Sequence, residues 1–130
     1  MTLRDLKTEL APAPSLAPAL RTSTATGAAV DLRGYDGAAV LVHVGAYTDG
    51  THSPSLEASI DGVSYAAVTA GELLGGFAAV AAGGDANSVQ IVGYRGPARY
   101  LRAKMTVAGA STGAATGVTV LRGRGARQGV

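Results

Sequence analysis

The sequence predicts an all-β protein, an antiparallel β-sandwich of jelly-roll-like winding with an extended N-terminal arm, and three observations carry that prediction. The first is the stretch 55–68, Ser-Leu-Glu-Ala-Ser-Ile-Asp-Gly-Val-Ser-Tyr-Ala-Ala-Val. In it Leu56, Ala58 and Ile60 alternate with Ser55, Glu57 and Ser59, the period of a strand with one dry and one wet face, and Asp61-Gly62 tolerates the positive φ of a two-residue hairpin loop. The second is the run from Arg99 to Val107, where Leu101, Ala103, Met105 and Val107 face one way and Tyr100, Arg102, Lys104 and Thr106 the other. The third is the recurrence of Gly, Pro, Asn and Asp turn signals at strand-length intervals from Gly27 onward, which divides the chain into seven or eight short strands.

Taken in order, Leu3, Leu6 and Leu10 lie at near-helical spacing, with Thr2 and Asp5 able to cap a first turn. Pro12, Pro14 and Pro18 stop that helix by removing amide donors and biasing their predecessors towards extended geometry. Residues 1–26 therefore read as an arm, helical at first and extended over 11–26, with a disordered leader as the alternative. The sandwich is expected over 27–122, followed by a basic tail at 123–130. Within it Ala28–Arg33 is a first strand, 34–37 a turn, and Ala38–Val44 an apolar run suited to a strand buried on both faces. Thr48–Pro54 reads as a polar loop. The segment Glu72–Phe77 reads as a loop with a helical turn and Gly83–Asn87 as a turn. Ser88–Tyr94, Arg99–Val107 and Ala115–Arg122 are the later strands, with a break at Gly96-Pro97 and a loop over Gly109–Gly113.

A chain of 130 residues supports one domain with a single core. With no Cys, no Trp, one Phe and 19 Gly, that core is built from Val, Leu, Ile and Ala. Small side chains bury little area each at about 25 cal/mol per Å², so self-association or a partner surface is expected to add stability. The absence of cysteine removes disulfides, thiolate catalysis and sulfur-ligated zinc. The N-terminus lacks the continuous apolar core of a secretory signal, and no run approaches the roughly 20 apolar residues that span a bilayer. A soluble protein with no membrane partner is expected.

Charge is unevenly placed. Six acids and no Lys or Arg lie between Gly34 and Tyr94, and seven bases and no acids lie from Ala86 to the end. Such polarity can orient one copy against another or dock a basic side on an acidic surface. The alternative is that strands from the two halves lie side by side and neutralise each other. The stretch Arg122-Gly123-Arg124-Gly125-Ala126-Arg127 could contact phosphates non-specifically. The chain has no aromatic-rich strand signature for stacking bases, so a solvated or partner-ordered basic terminus is the expectation and nucleic acid is not an expected partner.

No residues assemble into a reaction centre on this reading. A metal site of His43, His52 and Asp49 lacks the tight ligand pairs of zinc sites. His43 instead reads as a strand residue hydrogen-bonded at an edge, and His52 as a surface loop residue. No Gly-x-Ser-x-Gly turn occurs, and Asp36, Asp61 and Asp85 are explained by turn formation. The five tyrosines are the sole candidates for a sugar-stacking platform, a poor one without Trp; core or edge packing with the hydroxyl at the surface is the favoured account of them. The expectation is a non-enzymatic protein without cofactor or metal.

Three segments carry a resemblance: Leu56-Glu57-Ala58-Ser59-x-Asp61-Gly62-x-x-Tyr65-x-x-Val68, Val89-Gln90-x-Val92-Gly93-Tyr94-x-Gly96, and Arg99-Tyr100-Leu101-Arg102. In that order they resemble small β-sandwich proteins encoded beside the capsid genes of tailed bacteriophages and prophages, over residues 27–122. The resemblance implies a virion component, a capsid decoration or cement protein that binds the major capsid protein at the capsid surface after assembly in the host cytoplasm. It implies homo-oligomers, a trimer among the forms expected, and supplies no catalytic residues. The expected partner contacts are Leu3, Leu6, Leu10, Pro12 and Pro14 of the arm, reaching under or across a neighbour, and Arg99, Arg102 and Lys104, facing an acidic surface. A tail, neck or baseplate subunit, or a carbohydrate-binding adhesion module, are the alternatives.

Overall fold

The computed structural model describes residues 6–123. One helical turn, α1 (Leu6–Glu9), leads into ten strands: β1 (Leu10–Arg21), β2 (Ala25–Thr26), β3 (Val30–Asp31), β4 (Gly37–Tyr47), β5 (Thr51–Ser59), β6 (Ala66–Ala67), β7 (Leu73–Leu74), β8 (Ser88–Tyr94), β9 (Tyr100–Ala108) and β10 (Ala114–Gly123). They form an antiparallel sandwich. One sheet, sheet A, has the order β1-β10-β4-β8-β7, and the other, sheet B, has the order β2-β9-β5-β6 with β3 also on β9. All-β architecture therefore follows the pattern read from the sequence.

The core is made where the two alternations meet. Val40, Val42 and Val44 of β4 and Val118 and Val120 of β10 face Leu56 of β5 and Leu101, Ala103 and Met105 of β9. Each of these is at most 3% exposed. The expected spans Ser88–Tyr94 and Ala115–Arg122 match β8 and β10 to within a residue or two. The alternation of Leu101, Ala103 and Met105 against Arg102, Lys104 and Thr106 holds along β9, with only Val107 drawn part-way to the surface.

Residues 10–21 are extended, as expected, but they are integrated into sheet A as β1 and do not stand away from it. Leu10 pairs with Gly123 and Pro14 with Thr119, and bulges follow on either side of Leu16. The prolines fit because β1 is an edge strand, whose outer side has no ladder partner to lose. At the first bulge Ser15 turns inward and clasps the two sheets. Its hydroxyl donates to the Ala28 carbonyl at 2.7 Å and accepts from the Ala103 amide at 2.8 Å. Ala103 lies in the gap along β9 between its pairings with β2 and β3. Gly27 makes the approach possible, since a Cβ there would sit 2.4 Å from the Ser15 carbonyl oxygen.

Four further local expectations are corrected. Ala28–Arg33 shortens to Val30–Asp31, because this segment hands over between sheets and touches β9 only at Leu101 and Tyr100. Ala38–Val44 is buried on one face only: Val40, Val42 and Val44 are in the core, Leu41 is half-buried and His43 is exposed. The expected loop Thr48–Pro54 ends at Gly50, and Thr51–Pro54 begins β5 with His52 and Pro54 buried. Proline is tolerated there because the second neighbour of β5 is confined to Glu57–Ala58 and an isolated bridge between His52 and Val80. The hairpin exists, but with a longer loop than two residues: β5 ends at Ser59 and β6 starts at Ala66.

That loop is closed by the Asp61 carboxylate, not by strand pairing. Oδ1 accepts from the Ser59 hydroxyl at 2.9 Å, the Val63 amide at 2.8 Å and the Ser64 amide at 3.0 Å. These donors, the Val63 amide foremost, hold its pKa below the usual carboxylate value. Gly62 takes φ +80°, as the sequence requires. Ile60 leaves the alternation and is 79% exposed. Asp49 plays the same part at the opposite end, accepting from the amides of Gly113, Thr112 and Ser111 at 2.7, 3.1 and 3.1 Å. Its pKa is lowered, chiefly by the Gly113 amide.

Candidate partner-binding surfaces

The expected partner residues fall on two opposite faces and one end of the sandwich. Leu10, Pro12 and Pro14 lie on the outer face of sheet A, level with Gly123, Leu121 and Thr119 of β10. Arg102 and Lys104 project from the outer face of sheet B, and Arg99 stands at the head of β9. Leu6 is exposed on α1, and Leu3 lies outside the described residues. The tertiary structure thus separates what was read as one contact set.

Two of the three bases already have acids within the chain. The Arg99 guanidinium engages Asp31 through two parallel bonds of 2.9 Å, because β3 and β9 are neighbours in register. This bidentate pair, with the Arg33 amide behind it, lowers the Asp31 pKa to about 2. Arg102 Nε donates to Glu57 Oε1 at 2.7 Å, since the two residues are directly opposed in the β5–β9 ladder. Local neutralisation across strands therefore absorbs part of the charge asymmetry. Lys104, opposite Ser55, has no ion pair among the described residues.

The tyrosines are likewise engaged. Arginine guanidinium groups cover three rings: Arg102 over Tyr65 at 3.9 Å, Arg122 over Tyr35 at 4.8 Å, and Arg99 over Tyr100 at 4.9 Å. Tyr47 donates its hydroxyl to the Gly50 carbonyl at 2.7 Å, with the Ala81 carbonyl at 2.9 Å. Tyr94 is buried and its oxygen accepts from the Ala98 amide at 3.1 Å; burial pushes its pKa up. An arginine thus occupies one face of each of the Tyr65, Tyr35 and Tyr100 rings.

The histidines part company. His52 is fully buried, edge-on to Tyr47, with Nε2 3.0 Å from the Asp49 carbonyl oxygen. His43 is exposed on the outer face of sheet A, so an edge hydrogen bond is not its role. No group of three potential metal ligands occurs among the described residues.

Two features escaped the sequence reading. At one end, Arg33, Tyr35, Asp36, Arg95, Pro97 and Arg99 border a cleft of about 620 Å³, assembled from loops 60 residues apart in sequence. On the outer face of sheet A, Leu41, Val89, Ile91 and Leu121 join the Leu10, Pro12 and Pro14 positions. Val89 is 55% exposed, Ile91 66% and Leu74 of the edge strand β7 55%. The signal for this face was present in the run Ala38–Val44, apolar apart from His43. Its second apolar face is real but uncovered. No helix among the described residues is long and apolar enough to cross a membrane. The chain matches no family model, no curated protein and no solved structure.

Proposed function

We propose that the protein is a structural component of a tailed-phage virion, a capsid decoration protein that binds and stabilises the head lattice. One observation supports this reading best: the chain folds into two antiparallel sheets, β1-β10-β4-β8-β7 and β2-β9-β5-β6 with β3 also on β9, an arrangement in keeping with jelly-roll-like winding. That winding recurs in viral capsid domains. The small-residue core agrees with it, since a protein of this build gains stability by packing on a partner surface. The end cleft, with Arg33 and Arg95 on its rim beside the Asp31-paired Arg99, is the surface proposed to meet an acidic stretch of the capsid protein.

The test is to add the purified chain to capsids that lack it and measure occupancy by electron microscopy, alongside capsid resistance to heat. Saturable binding at fixed lattice positions and a raised disruption temperature are expected. The double variant Arg33→Glu, Arg95→Glu is expected to lower occupancy at least ~10-fold and to remove the salt dependence. Absence of binding by the wild-type chain overturns the reading. Density at the tail, neck or baseplate would assign the same fold to another virion position.

A further inference from the structure

The outer face of sheet A is a broad sheet surface without formal charge. None of its outward strand positions among the described residues is Asp, Glu, Lys or Arg; His43 is the only ionisable side chain there. Exposed apolar area of this kind on a soluble domain marks an interaction surface. The outer face of sheet B differs, since it carries Arg102, Glu57 and Lys104.

We infer that this face binds a second copy of the chain, in a two-fold, face-to-face dimer. The relief of the face is self-complementary. Ile91 and Leu121 stand as ridges on either side of Ala39, which is flanked by Gly93 on β8. The hollow between them, of about 330 Å³, is lined only by apolar side chains and glycine. A two-fold axis through the face seats the Ile91 ridge of each copy in the hollow of the other, an isologous contact. Being uncharged, the face meets its own copy with no like-charge conflict, whereas the charged surfaces elsewhere on the molecule would leave it unmatched.

Pro12 and Pro14 remove amide donors from the β1 edge, and β7 covers only Gly93 and Tyr94 of β8 at the opposite side. Pairing at either edge would leave the face itself exposed, so face-to-face stacking is the way to bury it. The five strands span about 20 Å across and the outward positions about 20 Å along them, so each copy offers on the order of 400 Å² of flat surface. Two copies with their side-chain relief bury about 1,000 Å², the lower bound for specific association. The dimer is expected to be weak, of micromolar order, its affinity set by how well the ridges fit and not by area, and reinforced wherever copies are held close together. This inference stands independently of the virion reading.

Sedimentation velocity of the full chain over a concentration series, with Ile91→Asp and Val89→Asp, tests it. Both side chains are more than half exposed, so each variant is expected to keep the wild-type circular dichroism spectrum and melting temperature. The wild type is expected to dimerise with the same affinity at low and high salt, because no ion pair is involved. Each variant is expected to raise the dissociation constant about 100-fold. A wild type that stays monomeric at about 100 μM, or a dimer indifferent to both substitutions, overturns the inference. Loss of capsid occupancy by Ile91→Asp in a chain that is monomeric throughout would assign the face to the lattice protein instead. Because dimerisation is read without capsids and occupancy with them, failure of one leaves the other measurable.

Discussion

Ser15 shows how much a single side chain can carry when the core around it is thin. Its hydroxyl serves the Ala103 amide in the gap between β2 and β3 and reaches the Ala28 carbonyl on the facing sheet, at a site only 5% exposed. Ser15→Ala leaves a buried amide without a partner. The expected cost is about 2 kcal/mol, the desolvation penalty of an orphaned donor, read as a lower denaturation midpoint at unchanged m-value. A loss under about 0.5 kcal/mol would mean that the clasp contributes nothing specific. The sequence offered no hint of this role, because Ser15 stands between Pro14 and Leu16 in a stretch with every mark of a linker. Asp61 is the opposite case. Its place before glycine announced a turn, and only the length of the loop had to come from the hydrogen bonds that the carboxylate collects.

At the scale of elements, β1 is the segment whose meaning changes most. Its prolines and small residues read as an arm, and the extended backbone is as expected, yet it supplies the edge of sheet A and the Leu16 core contact. Deleting residues 2–20 therefore removes a strand, and the expected result is an unfolded or aggregating chain. Deleting residues 2–8 leaves β1 intact and is expected to keep the melting temperature within about 3 °C of the wild type. A comparable loss in the shorter deletion, followed by circular dichroism on heating, would show that the first residues contribute to the fold. Prolines at an edge and prolines in a free linker look alike in sequence, because neither requires an amide partner. What separates them is the presence of β10 alongside, a contact more than 100 residues away. The later strands were legible for the converse reason. Along β8, β9 and β10 the period-2 pattern is local, and solvent on one side or core on the other reinforces it residue by residue.

At the scale of the whole molecule, acid sensitivity follows from three carboxylates at the loops and the sheet margin. Asp31, Asp49 and Asp61 all have pKa values below the ordinary 3.8, with Asp31 at about 2. A folded-state pKa below the unfolded value means that the unfolded chain binds protons first. Their contribution is therefore complete above about pH 5, declines through pH 4, and is lost as pH falls through each folded value towards about 2. The melting temperature is expected to be flat from about pH 5 to 7 and to fall steeply between pH 4 and 2. Asp31→Asn is expected to flatten part of that fall and, by releasing Arg99, to lower stability at neutral pH. A profile equally steep in Asp31→Asn would remove the Arg99 pair as a cause. The charge asymmetry along the chain is likewise a whole-molecule property that changes on folding. Glu57 of the acidic stretch meets Arg102, and Asp31, which precedes that stretch, meets Arg99, so part of the polarity written along the sequence is spent inside sheet B and its margin.

By itself the sequence determined the all-β class, the positions of β8, β9 and β10, the positive φ at Gly62 and the turn at Gly83–Asn87, and the poverty of the core in large side chains. These depend on period, turn chemistry and composition, which act over a few residues. Only the tertiary structure decided that residues 10–21 are an edge strand, that His52 and Pro54 are buried, that Arg99 and Arg102 are paired, and that Leu41, Val89, Ile91 and Leu121 form one uncovered apolar face. Each of these depends on which strands become neighbours. In an antiparallel sandwich, neighbours are drawn from distant parts of the chain, so alternation can show that a residue has a face without showing what lies against it.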